Sequence, residues 1–176
     1  MEKILFATNA QKAIDFFIEA GNDWFERAII EKKTGLSKAG ANLALKELLR
    51  HKLIARDKKA SAYIYRLDAG SFVIKQLKVL KTLAKLSALA DKLKPLSQKI
   101  ILFGSMSRGE NLSDSDIDLF ILTRSEAEAK KIIKASRLSV KVQLIAKTAS
   151  ELELFKKNDP YFFKEIDRGI TLWQKI

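Results

Sequence analysis

The sequence predicts an α+β chain of two small domains, covering residues 1–69 and 70–176. Three observations predict it. Apolar residues recur at helical spacing three times before His51 and are then followed by two strand-like runs. A helical pattern free of Gly and Pro runs from residue 71 to 94 and stops at Pro95. Beyond it, short apolar runs alternate with helical segments, the pattern of strands covered by helices.

Residues 9–20 place Ala13, Ile14, Phe17 and Ile18 on one helical face, with Asn9 as the expected N-cap and Gly21 as the stop. A second short helix is expected over residues 24–33, carrying Phe25, Ala28 and Ile29. The turn Thr34-Gly35-Leu36 leads to Ser37, the expected N-cap of a third helix reaching His51, with Ala41, Leu45, Leu48 and Leu49 at helical spacing. Strands are expected at 53–56 and 62–67, joined by the polar tip Asp57-Lys58-Lys59-Ala60-Ser61. The long helix over 71–94 puts Lys78, Lys81, Lys85 and Lys92 in one narrow stripe, read as a solvated face.

Composition narrows the chemistry. The chain of 176 residues is 47% hydrophobic and 31% charged, which excludes a disordered or collagenous polymer. With no Cys there is no thiol catalysis, disulfide framework or Cys-containing zinc site, and the single His51 cannot build a histidine metal cluster. A catalytic metal would therefore sit on carboxylates. No apolar run approaches the roughly 18 residues of a membrane span, and the first residues lack a signal-peptide core. The expectation is a cytoplasmic protein with no membrane partner.

The net charge is +12, and it is uneven. Residues before Lys99 carry +9 and the remainder +3; residues 32–66 alone carry +8. Such a patch suits a polyanion, because each neutralised phosphate releases counterions. Taken alone, such a cluster is more simply a solvated, solubilising surface.

The stretch TGLSKAGANLALKELLRHKLIARDKKASAYIYRL resembles the winged helix-turn-helix family, over about residues 10–68. The resemblance implies that the helix from Ser37 enters a major groove of double-stranded DNA and that the lysine-tipped hairpin touches phosphates. The candidate DNA-binding residues are then Lys38, Asn42 and Lys46 on the helix and Lys58 and Lys59 on the hairpin. Leu43 falls on the same helix surface, and Gly40 weakens it. Both keep protein contact, including a homodimer, open beside DNA binding.

The chemistry concentrates in KIILFGSMSRGENLSDSDIDLFIL. Apolar runs Ile100 to Phe103 and Ile117 to Leu122 read as buried strands. Asp116 and Asp118, two residues apart on strand spacing, point to one face and can hold divalent cations. Gly104 lets phosphate oxygens approach backbone amides, and Ser105 adds a hydroxyl.

Gly-Ser, ten intervening residues and Asp-Ile-Asp between apolar strands resemble the DNA polymerase β-like nucleotidyltransferase superfamily, most closely its minimal branch. The matching residues are Gly104, Ser105, Arg108, Gly109, Ser115, Asp116 and Asp118. The resemblance covers about residues 71–176, with DPYFFKEIDRGITLW as the closing helix and strand. It implies a small domain with a mixed sheet flanked by helices. It also implies Mg²⁺ (or Mn²⁺) on Asp116 and Asp118, and nucleotide binding by Gly104, Ser105, Arg108 and Ser115. The substrate would be ATP or another NTP, whose α-phosphorus is attacked as pyrophosphate leaves.

Members of the superfamily place a third carboxylate on a neighbouring strand. After a helix expected over 125–136, the strand expected at 140–145 carries Gln143 at that position. An amide oxygen can ligate a cation but cannot act as a base. Glu110, Asp114 and Glu151 are the acids that could substitute. Two functions follow from these readings. The first is AMP transfer to a hydroxyl of a protein or small molecule; the resemblance implies as one acceptor a small helical HEPN toxin, with which minimal nucleotidyltransferases are often paired as antitoxins. The second is DNA-binding regulation with a degenerate nucleotidyltransferase domain serving as nucleotide sensor or docking module.

Overall fold

The computed structural model describes residues 2–112, 114–136 and 138–175. It divides into two compact units, one up to Lys78 and the other from Val79.

The N-terminal unit runs α1 (Glu2–Leu5), α2 (Asn9–Ala20), β1 (Phe25–Glu26), α3 (Arg27–Thr34), α4 (Lys38–Arg50), β2 (Ile54–Lys59) and β3 (Ala62–Leu67). Its three strands pair antiparallel in the order β1-β3-β2. The helices bury Ala13, Ile14, Phe17, Ile30, Ala41, Leu45 and Leu48 against Ile54, Tyr65 and Leu67 of the sheet.

Three local expectations change. The N-cap of α2 is Thr8, not Asn9, because Thr8 and Gln11 close a reciprocal capping box. The segment expected as one helix from residue 24 first pairs Phe25 with Tyr65 across β1 and β3, and becomes helical only at Arg27. Phe25 there packs edge-on against Phe16, with ring centroids 5.0 Å apart. The hairpin is also longer than expected. Lys58 and Lys59 lie in the ladder opposite Tyr63 and Ala62, so the turn is reduced to Ala60 and Ser61.

Helix α5 (Phe72–Leu93) follows. The division between units falls inside it rather than at the expected 69/70 boundary, since Ile74 is fully buried in the N-terminal core and Leu77 packs against that core. The expected solvated lysine stripe holds at Lys92, which is exposed, and in part at half-buried Lys85, but not at two of its members. Lys78 and Lys81 are only 8% and 5% exposed. Burial, then the charge of Lys75, lowers the pKa of Lys78.

After a 3₁₀ turn at Lys94–Leu96, the C-terminal unit continues with β4 (Ser97–Phe103), α6 (Gly104–Arg108), β5 (Ile117–Thr123), α7 (Glu126–Ala135), β6 (Val142–Lys147), α8 (Ala149–Asn158), α9 (Pro160–Asp167) and β7 (Ile170–Gln174). The sheet order is β6-β5-β4-β7. It is mixed: β4 pairs antiparallel with β5 and β7, while β5 and β6 run parallel. Alternation along the strands gives the sheet two apolar faces. Ile100, Leu102, Ile117, Leu119 and Ile121 pack with Leu86, Leu89 and Leu93 of α5 and Ala129 of α7. Ile101, Phe103 and Phe120 pack with Ile166 of α9 and Phe155 of α8.

Strand β6 begins two residues later than expected, because the Ile117 N–H bonds the Lys141 carbonyl at 2.9 Å and the ladder proper opens at Val142. No helix among the described residues is long and apolar enough to cross a membrane.

Candidate active site

One row across the sheet assembles the site. Phe103, the last residue of β4, lies opposite Asp118 of β5, which lies opposite Gln143 of β6. The next row of the same face is wholly apolar, with Ile101, Phe120 and Ile145 in register. The face that is core under α8 and α9 therefore turns polar at one end, where Asp118, and Asp116 just before β5, share its direction.

Gly104 makes the junction between β4 and α6. Its φ is +71°, a left-handed conformation that costs a residue with a Cβ about 1–2 kcal/mol. A Cβ there would also fall within 3.0 Å of Asp118 Cγ and closer still to its carboxylate oxygen. The absence of a side chain at 104 thus defines where the Asp118 carboxylate lies. Helix α6 ends at Gly109, also left-handed, whose N–H returns to the Ser105 carbonyl. Ser105 is half-buried in the first turn of α6, beside Gly104.

The two acids are in different electrostatic states. Gln143 Nε2 donates to Asp116 Oδ2 at 2.7 Å, and Lys141 Nζ donates to the same oxygen at 3.2 Å. The Gln143 bond first, then the Lys141 bond, holds the Asp116 carboxyl below the ordinary carboxylate range. Asp118 shifts upward, mainly through burial and secondly through the charge of Asp116, with Arg108 acting against the shift. Among the described residues, no hydrogen bond reaches the Asp118 carboxylate.

The remaining expected ligands hold other partners. Arg108 pairs with Glu110 at 2.9 Å and reaches Glu165 of α9 at 3.9 Å. Ser115 accepts the Leu112 N–H at 2.9 Å, so its hydroxyl closes the loop before β5. Glu151 closes a capping box with Thr148 at the start of α8, and those bonds lower its pKa. Asp114 is exposed in the loop before β5. Among the described residues, no three acids or histidines gather as a metal-binding group.

Lys141 was absent from the sequence-derived candidates. The signal was available: it stands two residues before Gln143, so strand spacing puts both on one face. Reading it required knowing that β6 pairs with β5. An aromatic wall flanks the site, with Phe103 6.0 Å from Phe162 and Phe162 5.9 Å from Phe155, both edge-on. A cavity of about 620 Å³ lies at the other end of β4, lined by Ser97, Gln98, Arg124 and Trp173, and contains none of the candidate residues.

In the N-terminal unit, Lys38, Asn42 and Lys46 are all exposed on α4, together with Leu43 at 69%. Asn42 Oδ1 accepts from Arg27 at 3.1 Å, and Arg27 is itself paired with Glu31. Lys58 and Lys59 are exposed at the end of β2.

Residues 83–166 match the family model of the nucleotidyltransferase domain. The matched stretch contains the whole Gly104 to Asp118 arrangement and Gln143, and the match supports nucleotidyl transfer as the general function. The chain is also similar to a solved structure from Sulfolobus solfataricus described as a "putative nucleotidyltransferase", at 17% identity and a TM-score of 0.38, covering 57% of this chain and 87% of that one. No curated protein matches the chain.

The donor set fits one hard cation. Carboxylate oxygens suit Mg²⁺ or Mn²⁺, and Asp118 is partly desolvated and receives no hydrogen bond among the described residues, so a divalent cation would offset both its burial and its repulsion from Asp116. Asp116 Oδ2 already carries two donors, leaving Oδ1 for such an ion.

Proposed function

We propose that the C-terminal unit is an Mg²⁺-dependent nucleotidyltransferase that takes ATP or another NTP and transfers its nucleotidyl group to a hydroxyl of a protein or small molecule. In that reaction the acceptor oxygen bonds the α-phosphorus, the bond to the bridging oxygen of the β-phosphate breaks, and pyrophosphate leaves. The observation that carries this reading is the seating of Asp118 against Gly104 within the stretch that matches the family. A cation held by Asp116 and Asp118 would neutralise phosphate charge as it develops.

The chain's own residues supply positioning. Gly104 leaves room for phosphate oxygens at the start of α6, and the Ser105 hydroxyl is a donor for the departing phosphates. Arg108 contributes to phosphate binding by exchanging Glu110 and Glu165 for a phosphate oxygen. Gln143 has no basic group, so the acceptor's proton leaves to water or to a base on the acceptor. The resemblance to minimal nucleotidyltransferases adds a small helical HEPN protein as an acceptor class.

Thermal shift with Mg·ATP tests the site. The full chain should be stabilised, by about 2.7 kcal/mol at a hundredfold excess over Kd, and Asp116→Asn and Asp118→Asn should each lose that stabilisation. Unchanged stabilisation in both variants overturns the assignment.

A second reading is favoured by the display of Lys38, Asn42 and Lys46 along α4. Under it the N-terminal unit is a DNA-binding winged helix, as a monomer or a homodimer, and the C-terminal unit reports nucleotide occupancy to it. The two readings combine in one protein if both units retain their ligands.

A further inference from the structure

The position in register with Asp118 on the parallel neighbour is Gln143, and its amide donates to Asp116 Oδ2. Lys141 delivers a positive charge to that same oxygen. The oxygen is therefore engaged by both an ammonium and an amide. Formally the cluster of Asp116, Asp118 and Lys141 carries −1, where three carboxylates would carry −3. Oxygen-ligand sites for divalent cations are set by the number and charge of their ligands. This cluster has anionic ligands for one cation, and an internal cation beside them.

We propose that this is a one-cation centre, in which the Lys141 ammonium, with Gln143 bonded to the same oxygen of Asp116, takes the place of a second divalent cation. The inference rests on the nucleotidyl-transfer reading and specifies the metal stoichiometry of that site. Lys141 is 75% exposed, so its ammonium also faces solvent, where a triphosphate oxygen can share it. A lysine is suited to that role because it is a compact charge on a flexible stem.

Equilibrium dialysis of the full chain tests this, with Mn²⁺ and α,β-methylene-ATP present on both sides of the membrane and the excess Mn²⁺ counted per chain. The wild type should retain one Mn²⁺. Lys141→Arg should also retain one, because the charge is kept. The double variant Lys141→Ala, Gln143→Glu removes the ammonium and restores a carboxylate, and should retain two. Should that variant not fold by circular dichroism, Lys141→Met with Gln143→Glu, which keeps an unbranched stem without the charge at two exposed positions, carries the same expectation of two. Two Mn²⁺ on the wild type overturn the one-cation centre and leave nucleotidyl transfer standing. One Mn²⁺ on a folded variant likewise overturns the role given to Lys141 and Gln143. Neither Mn²⁺ nor nucleotide retained by the wild type overturns both readings together.

Discussion

Two glycines, one in each unit, separate a packing constraint from a functional one. Gly40 on α4 and Gly104 at the β4–α6 junction both stand where a Cβ would collide. At Gly40 the nearest atoms are Asn9 Nδ2 at 2.9 Å and Ser37 Oγ at 3.2 Å, the ends of side chains that can move, and its φ is not positive. At Gly104 the obstacle is the carboxylate of Asp118, and the backbone is left-handed. The same contrast separates the units. The N-terminal unit displays Lys38, Lys46, Lys58 and Lys59 on its surface, whereas the C-terminal unit fixes Asp116, Asp118 and Gln143 through strand register and hydrogen bonds. A fixed polar geometry constrains what can bind, and a displayed charge does so far less.

Substituting the two glycines sharpens this most. Gly104→Ala should cost about 2–4 kcal/mol, combining left-handed strain with displacement of Asp118, and should eliminate Mg·ATP stabilisation. Gly40→Ala should stay within about 1 kcal/mol, because gained helix propensity offsets a small side-chain shift. Urea unfolding of both variants measures the difference. Equal costs would break the contrast.

The smaller effect of displayed charge is read from salt dependence. If α4 and the β2–β3 hairpin bind DNA, replacing Lys58 and Lys59 together by Ala should lower the slope of log affinity against log salt by about two units, alike for all sequences. Asn42→Ala should erode sequence discrimination by about 1 kcal/mol, the low end for a base contact, since Arg27 already engages its Oδ1. Gel shifts at two salt concentrations measure both. No binding by the wild type at low salt would assign this face to protein contact, with Leu43 at its centre.

What was legible in the sequence was local. Gly104 and the acid pair could be read because strand and turn spacing alone brings their types together, and the buried runs of β4 and β5 announce themselves by apolar continuity. Long-range pairing hid the rest. That Lys141 and Gln143 converge on one oxygen of Asp116 follows only from the parallel register of β5 and β6. Strand β1 was invisible because two residues carry no periodicity, and their pairing with β3 decides their state. Lys78 and Lys81 were misread since a stripe of charges at helical spacing gives no sign of what covers it. Helix α8 was not anticipated, although Thr148 and Glu151 form its capping box at the three-residue spacing that marks a helix start.

The smallest expected effect separates the two acids from each other. Asp118 has a raised pKa in the folded chain, so its ionised form opposes folding at neutral pH. That cost is present above the folded pKa, diminishes as pH falls through it, and is gone below the ordinary carboxylate value of about 3.9. Asp116 has a lowered pKa, so its contribution has the opposite sign: it stabilises above the ordinary value and is lost as pH falls through the folded one. In metal-free buffer, Asp118→Asn should therefore be more stable than the wild type at pH 7, by no more than about 1 kcal/mol because solvent reaches part of the carboxylate. Asp116→Asn should be less stable at pH 7. Both differences should close toward pH 3. Thermal unfolding at pH 7, 5 and 3 reads all three chains, and a destabilised Asp118→Asn at pH 7 would mean that its carboxylate, like that of Asp116, is held by partners rather than kept ready for a cation.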